Sequence, residues 1–260
     1  MSDPVVVVEE APGDLAPETL IVRMNRPDKR NALSAELKRE LARVARELAE
    51  RTDIGAIVLT GAGGAFCAGN DISEPDSFAQ DRALLDARRH IRLGLEMCRA
   101  WEALPQITIA AVDRFAIGGG MSLALSCDFR VFQTGAWVRA PEVELGITYS
   151  WGTLPRLFRL VGPARAKLIA ALCRQVDAKI ALDWGLCEAV ADDTLATALE
   201  MAREAVGKPR LAQQMVKEAV NRLAAGPDTA SLEQDQVLLN MSDPETRALQ
   251  DAALKRLRGE

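Results

Sequence analysis

The sequence predicts an α/β protein: strands and helices alternating through the first half, then a helical C-terminal extension. Three observations point there. Short β-rich or wholly apolar runs alternate with patterns of 3.6-residue period in the first half. Glycine-bearing loops follow two of the apolar runs, at 59–64 and 112–120. From Gly152 onward helical periodicity dominates.

Each element has its own signal. Residues 5–8 and Thr19–Met24 are β-rich and read as paired strands across the Pro-Gly turn at 11–14. Ser34 is a good N-cap, and Leu37, Leu41, Val44 and Leu48 follow at helical spacing. Residues 54–60 read as a buried strand ended by Gly61-Ala62-Gly63-Gly64, and the polar run 74–80 as a loop. A helix is expected over 81–104, stopped by Pro105, and an apolar strand over Ile107–Val112. Gly118-Gly119-Gly120 then leads into a helix through Leu125, followed by short strands at 129–132 and Trp137–Arg139. Helices are expected over 154–161, 163–172, Ala178–Trp184, Thr194–Val206, 209–224 and 231–257, the last broken near Pro244. The division expected is a core over 1–195 and a helical region over 196–260 that packs on a neighbouring subunit.

Composition removes several function classes. Of 260 residues, 48% are hydrophobic and 27% charged, as in ordinary globular proteins. A net charge of −5 gives no electrostatic footprint for nucleic acid. The single histidine, His90, rules out every paired-histidine metal site. It lies in the basic run Arg88-Arg89-His90-Ile91-Arg92, which reads as a solvated helix face. Five scattered cysteines without a CxxC read as reduced thiols of a cytoplasmic protein. No signal peptide and no membrane-length apolar run is visible.

The two glycine loops are where chemistry is expected. Gly61-Ala62-Gly63 opens like a dinucleotide fingerprint, but Phe66 occupies the third glycine position, where close helix–strand packing needs a small residue. Gly118-Gly119-Gly120 bares backbone N–H groups at a helix start, suited to a phosphate or to a carbonyl oxygen becoming an oxyanion.

With these loops the chain resembles the crotonase superfamily, also called the enoyl-CoA hydratase/isomerase family. The markers are Met24-Asn25-Arg26-Pro27-Asp28-Lys29-Arg30-Asn31-Ala32-Leu33; Leu59-Thr60-Gly61 running into Phe66-Cys67-Ala68-Gly69-Asn70-Asp71; Gly118-Gly119-Gly120 through Cys127-Asp128; and Pro141-Glu142 with Leu145-Gly146. They stand in family order over most of the chain. The resemblance implies a spiral of repeated ββα units with C-terminal helices, assembled as a homotrimer or dimer of trimers. It implies an acyl-CoA thioester substrate, no metal, and no cofactor beyond the coenzyme A that the substrate carries. It implies an enolate intermediate, its oxygen held by the backbone N–H groups of Ala68 and Gly119. Coenzyme A is expected along Lys29, Arg30, Ala32 and Leu33, and along Ala68, Gly69, Asn70, Asp71 and Ile72. Tyr149 and Trp151 are expected to line an acyl pocket.

The resemblance also frames the reaction. Typical hydratases of the family carry one Glu three residues after the middle glycine and another in the Pro-Glu segment. Here the second is Glu142, but the first position is Ser122. A hydroxyl is no carboxylate base near neutral pH, although it can orient a water. Glu142 is therefore the expected lone general acid/base, with Ser122 accessory. Hydration and double-bond isomerisation both fit. The alternatives are a hydroxycinnamoyl-CoA hydratase-lyase, which shares the Ser and Glu pattern, and a non-catalytic member binding CoA esters or RNA. Glu144 reads as surface or supporting.

Overall fold

Strand residues on alternate sides feed two separate cores, and helices close both. The computed structural model describes residues 3–12, 16, 18–74, 83–225, 251–252 and 254–256. In chain order they form β1 (Val6–Glu10), β2 (Thr19–Met24), α1 (Ala35–Ala49), β3 (Ala56–Gly61), α2 (Leu84–Glu102), β4 (Ile107–Val112), β5 (Phe115–Ile117), α3 (Gly119–Ala124), β6 (Phe129–Gln133) and β7 (Trp137–Arg139). There follow α4 (Thr153–Ala170), β8 (Val176–Asp177), α5 (Ala178–Trp184), β9 (Ala189–Ala191), α6 (Thr194–Val206) and α7 (Arg210–Ala225).

The larger sheet has the order β1-β2-β3-β4-β6-β9. β1 pairs antiparallel with β2, Val8 opposite Val22, and the other pairs are parallel. A smaller sheet, β5-β7-β8, stands beside it. Period-two alternation divides the strands. Leu20, Val22, Ile57, Leu59, Ala110 and Val112 face the main core with Leu37, Leu41, Met97 and Trp101. Ile21, Val58, Ile109 and Ala111 face the other side, where Ala198, Leu199 and Ala202 of α6 cover them.

Local chemistry sets the helix boundaries. Ser34 Oγ accepts from Leu37 N at 3.1 Å, the expected cap of α1. α4 is interrupted at Gly162, with φ of 75° and ψ of 172°, just before Pro163, so the two expected helices are its two limbs. β5, β8 and β9 were not anticipated. A division after residue 195 cuts α6 in its first turn and parts it from the strands it buries. α6 packs with the sheet as one element. Most of the helix expected over 231–257, residues 75–80 of the expected loop, and Gly13 and Asp14 of the first turn lie outside the described residues. No helix among the described residues is long and apolar enough to cross a membrane.

Candidate active site

The site is assembled where the β2–α1 turn, the loop after β3 and the start of α3 meet. Arg30 and Asn31 both take the left-handed conformation, with φ of 50° and 56°. This curls the turn so that buried Asn31 faces the neighbouring loop. Its Nδ2 donates to Ala62 O at 2.9 Å and Ala65 O at 2.8 Å, while its Oδ1 accepts from Arg26 N at 2.9 Å. The loop after β3 then runs between two partners. Leu33 bridges to Asn70 on one side, and Cys67 bridges in parallel to Ala116 of β5 on the other.

This pairing decides which amides are available, and it corrects one expectation. Ala68 N donates to Arg30 O at 3.0 Å, so it is already spent. Gly69 has φ of +95°, and a Cβ there would stand 2.8 Å from Ile117 O, so only glycine fits. The flip at Gly69 breaks the strand alternation. Leu33 N bonds Gly69 O and Asp71 N bonds Leu33 O, leaving Asn70 N directed away from Leu33. Three residues past the Cys67–Ala116 bridge, the two chains reach Asn70 and Gly119. Gly119 opens α3, so its N–H has no intrahelical acceptor. The available pair of donors is Asn70 and Gly119, not Ala68 and Gly119.

The glycine triplet is shaped by three close approaches. A Cβ on Gly120 would meet Cys67 Cβ at 2.7 Å, and one on Gly119 would meet the Trp151 ring at 2.1 Å. One on Gly118, whose φ is +49°, would lie 2.9 Å from Glu142 Oε1. Glu142 is thus packed against the loop that supplies a donor. It leads a 3-10 turn over Val143–Leu145, closed by left-handed Gly146. Its Oε2 is enclosed and has no hydrogen-bond partner among the described residues. Burial pushes its carboxyl up to about 7.

A cavity of about 720 Å³ joins these parts. Its wall includes Glu142, Ser122, Gly119 and every residue expected to bind substrate except Leu33, whose side chain is fully buried in the main core. Lys29 and Arg30 are exposed at its rim. Asp71 pairs with Arg26 Nη1 at 2.8 Å, and Glu144 pairs with Arg139 at 2.5 Å, so both carboxylates are engaged. Ser122 Oγ lies 2.6 Å from Thr153 Oγ1 and 3.2 Å from Gly118 O. Tyr149 turns its hydroxyl inward, donating to Ala170 O at 2.9 Å.

Several lining residues are not among those expected to bind substrate. His90, expected on a solvated face, lines the cavity with Ala87 and Ile91. Their spacing with Gly94, three and four residues apart, marks one helix face. Lys38 is 2% exposed and also lines the cavity. Its signal was its place four and seven residues before Ala42 and Ala45, on the inward face of α1. Among the described residues no group of His, Cys, Asp or Glu could hold a metal ion.

Comparison with known proteins gives consistent results. A family model described as Enoyl-CoA hydratase/isomerase matches residues 17–249. A short-chain-enoyl-CoA hydratase of Clostridium acetobutylicum is 36% identical over 219 residues, 83% of this chain and 81% of that protein. A crotonyl-CoA hydratase of Syntrophomonas wolfei is 34% identical, with 77% of each chain covered. Among solved structures, an enoyl-CoA hydratase of Bacillus anthracis is similar with a TM-score of 0.78 and 30% identity, covering 91% of this chain and 90% of that one. An enoyl-CoA hydratase/isomerase of Mycobacterium paratuberculosis gives a TM-score of 0.85 at 25% identity, covering 95% and 98%.

Proposed function

The chain belongs to the enoyl-CoA hydratase/isomerase family, and from that premise we propose that Glu142 alone moves the proton in hydration of a short enoyl-CoA thioester whose carbonyl rests on the amides of Asn70 and Gly119. The protein is an enzyme of hydratase/isomerase type. The observation that carries the mechanism is the enclosed Glu142 carboxyl, packed on the donor loop with no partner for Oε2 among the described residues. A buried carboxyl left unsatisfied costs stability, and a reacting water or carbon is the partner it lacks.

The steps follow from that geometry. Glu142, as carboxylate, takes a proton from a water as the water oxygen bonds C3. The C2–C3 π electrons move toward C1, and the charge settles on the thioester oxygen. Two fixed N–H donors stabilise that enolate; removing one such donor typically costs about 2.7–4 kcal/mol. Glu142 then returns its proton to C2, so one water has been added. A carboxyl held near 7 both accepts and releases a proton at little cost. Ser122 borders the same space, its hydroxyl engaged with Gly118 O and Thr153 Oγ1, so the proton transfer is left to Glu142.

Isomerisation is the second reading, favoured by Ser122 standing where a second carboxylate would assist water. There Glu142 carries a proton from C2 to C4. Retro-aldol cleavage of a hydroxycinnamoyl thioester is disfavoured, because Tyr149, the sole tyrosine, spends its hydroxyl on Ala170 O. Incubation with crotonyl-CoA and with 3-hexenoyl-CoA in H₂¹⁸O tests the assignment. Hydration incorporates label into a 3-hydroxyacyl product, whereas migration gives an unlabelled isomer. No change in either substrate contradicts the proposal. The exposed apolar residues Leu211, Met215, Val220 and Leu223 of α7 support assembly as a homotrimer or dimer of trimers. The five free, buried thiols support a cytoplasmic setting.

A further inference from the structure

Beyond the carboxylate, the cavity holds a buried cation that the proton chemistry does not use. Lys38 reaches inward from α1 and is 2% exposed. Its Nζ donates to Asn70 Oδ1 at 2.8 Å and sits 5.4 Å from the centre of the Trp151 ring. An ammonium has three N–H donors, and one neutral acceptor uses one of them. The nearby carboxylates have other partners. Asp71 pairs with Arg26, and both Glu74 oxygens accept from Ala35 N at 3.0 Å, at the start of α1. Burial lowers the Lys38 ammonium to about 8, partly opposed by Glu74 and Asp71, which leaves it mostly charged at neutral pH.

Its position relative to the donors is informative. Asn70, which supplies one donor amide, holds Lys38 with its side chain. Trp151, on which Lys38 rests, lies against Gly119, the other donor. The same indole presses on Gly94 of α2, where a Cβ would come within 2.0 Å. Two glycines on two helices are thus cut away to admit one ring. The indole and the ammonium line the same cavity as both donor amides, so an acyl group of a thioester held there has both within its surroundings. The exposed rim at Lys29 and Arg30 is left for the coenzyme.

Building on the reading of this cavity as an acyl-CoA site, we propose that it selects a short acyl group ending in a carboxylate, which the Lys38 ammonium receives beside the Trp151 ring. A carboxylate completes the ammonium's hydrogen bonds with charge assistance, whereas a methyl end leaves them unmade.

Calorimetric titration of the full chain with glutaryl-CoA and butyryl-CoA, saturated thioesters that cannot be hydrated, tests this without turnover. The wild type is expected to bind glutaryl-CoA about tenfold more tightly or better, and Lys38→Met is expected to bring the ratio to about one or below. Lys38→Gln, which keeps a polar end but no charge, is expected to lose most of the preference. Equal binding by the wild type overturns the proposal, even if neither variant folds. So does a preference that survives both substitutions. Failure of the hydratase reading looks different: crotonyl-CoA stays unchanged while the glutaryl preference persists.

Discussion

In the proposed mechanism a single carboxyl carries the chemistry, and its environment makes that role measurable. Burial raises Glu142 from the usual glutamate range to about 7. As the base it must be ionised, so kcat/KM for hydration is expected to rise with pH through an apparent value near 7 and then level off. A pH–rate profile already flat from pH 5 contradicts this. The linkage to stability has a definite sign. Between about 4.5 and 7 the folded protein holds a proton the unfolded chain has released, so the desolvated carboxyl makes stability fall as pH rises through that window. Glu142→Gln is therefore expected to be more stable than wild type above pH 7, by roughly 3 kcal/mol at most, with the gain gone below pH 4. Denaturant melts at pH 4 and 8 check it. Residue by residue, the site was partly legible. Glu142 and Gly119 stand in short motifs legible in the sequence, and the fold brings both to one cavity. The amide of Ala68, the expected second donor, is bonded to Arg30 O instead, because the direction of the amides here depends on φ at Gly69, which no side chain announces. Lys38 carries no such motif signal, because a lysine on a helix ordinarily belongs to a solvated face.

At the scale of elements, α3 and the loops around it are held by close approach, not by charge. Gly119→Ala drives a Cβ into the Trp151 ring and is expected to lower kcat/KM by about a hundredfold. Adding Trp151→Ala removes the obstructing ring and is expected to recover part of that loss. If the double variant is no better than Gly119→Ala alone, the ring is not what makes glycine necessary. Ser34 acts differently, as the cap of α1. Ser34→Ala is expected to cost about 1 kcal/mol in a denaturant melt. Long elements with a clear period were readable: β4 matches its expected span, and α6 does too. The strands missed are two or three residues long, too short for alternation to register. β5 was absorbed into the glycine loop it precedes, although its pairing with Cys67 is what aligns that loop.

For the whole molecule, the two faces of the large sheet do different work. One carries the main core and, at its edge, the cavity. The other is closed by α6, no residue of which lines the cavity. Leu199→Ala empties space between α6 and the sheet and is expected to destabilise the fold by about 2–4 kcal/mol, leaving kcat of the folded protein unchanged. A urea titration paired with an assay in the absence of denaturant separates the two effects. The alternation of strand and helix signals was enough to read the α/β class. The packing of α6 on the sheet was not, because its amphipathic pattern is ordinary and only tertiary contact assigns it there.

The account turns on whether Glu142 is the acid and base. Glu142→Gln keeps the shape of the side chain and removes its proton chemistry. The rate of crotonyl-CoA hydration, measured beside the dissociation constant for butyryl-CoA, is therefore the most direct test. The rate is expected to fall by about a hundredfold or more while binding changes by less than about threefold. A variant that hydrates crotonyl-CoA at close to the wild-type rate would contradict the mechanism at its centre.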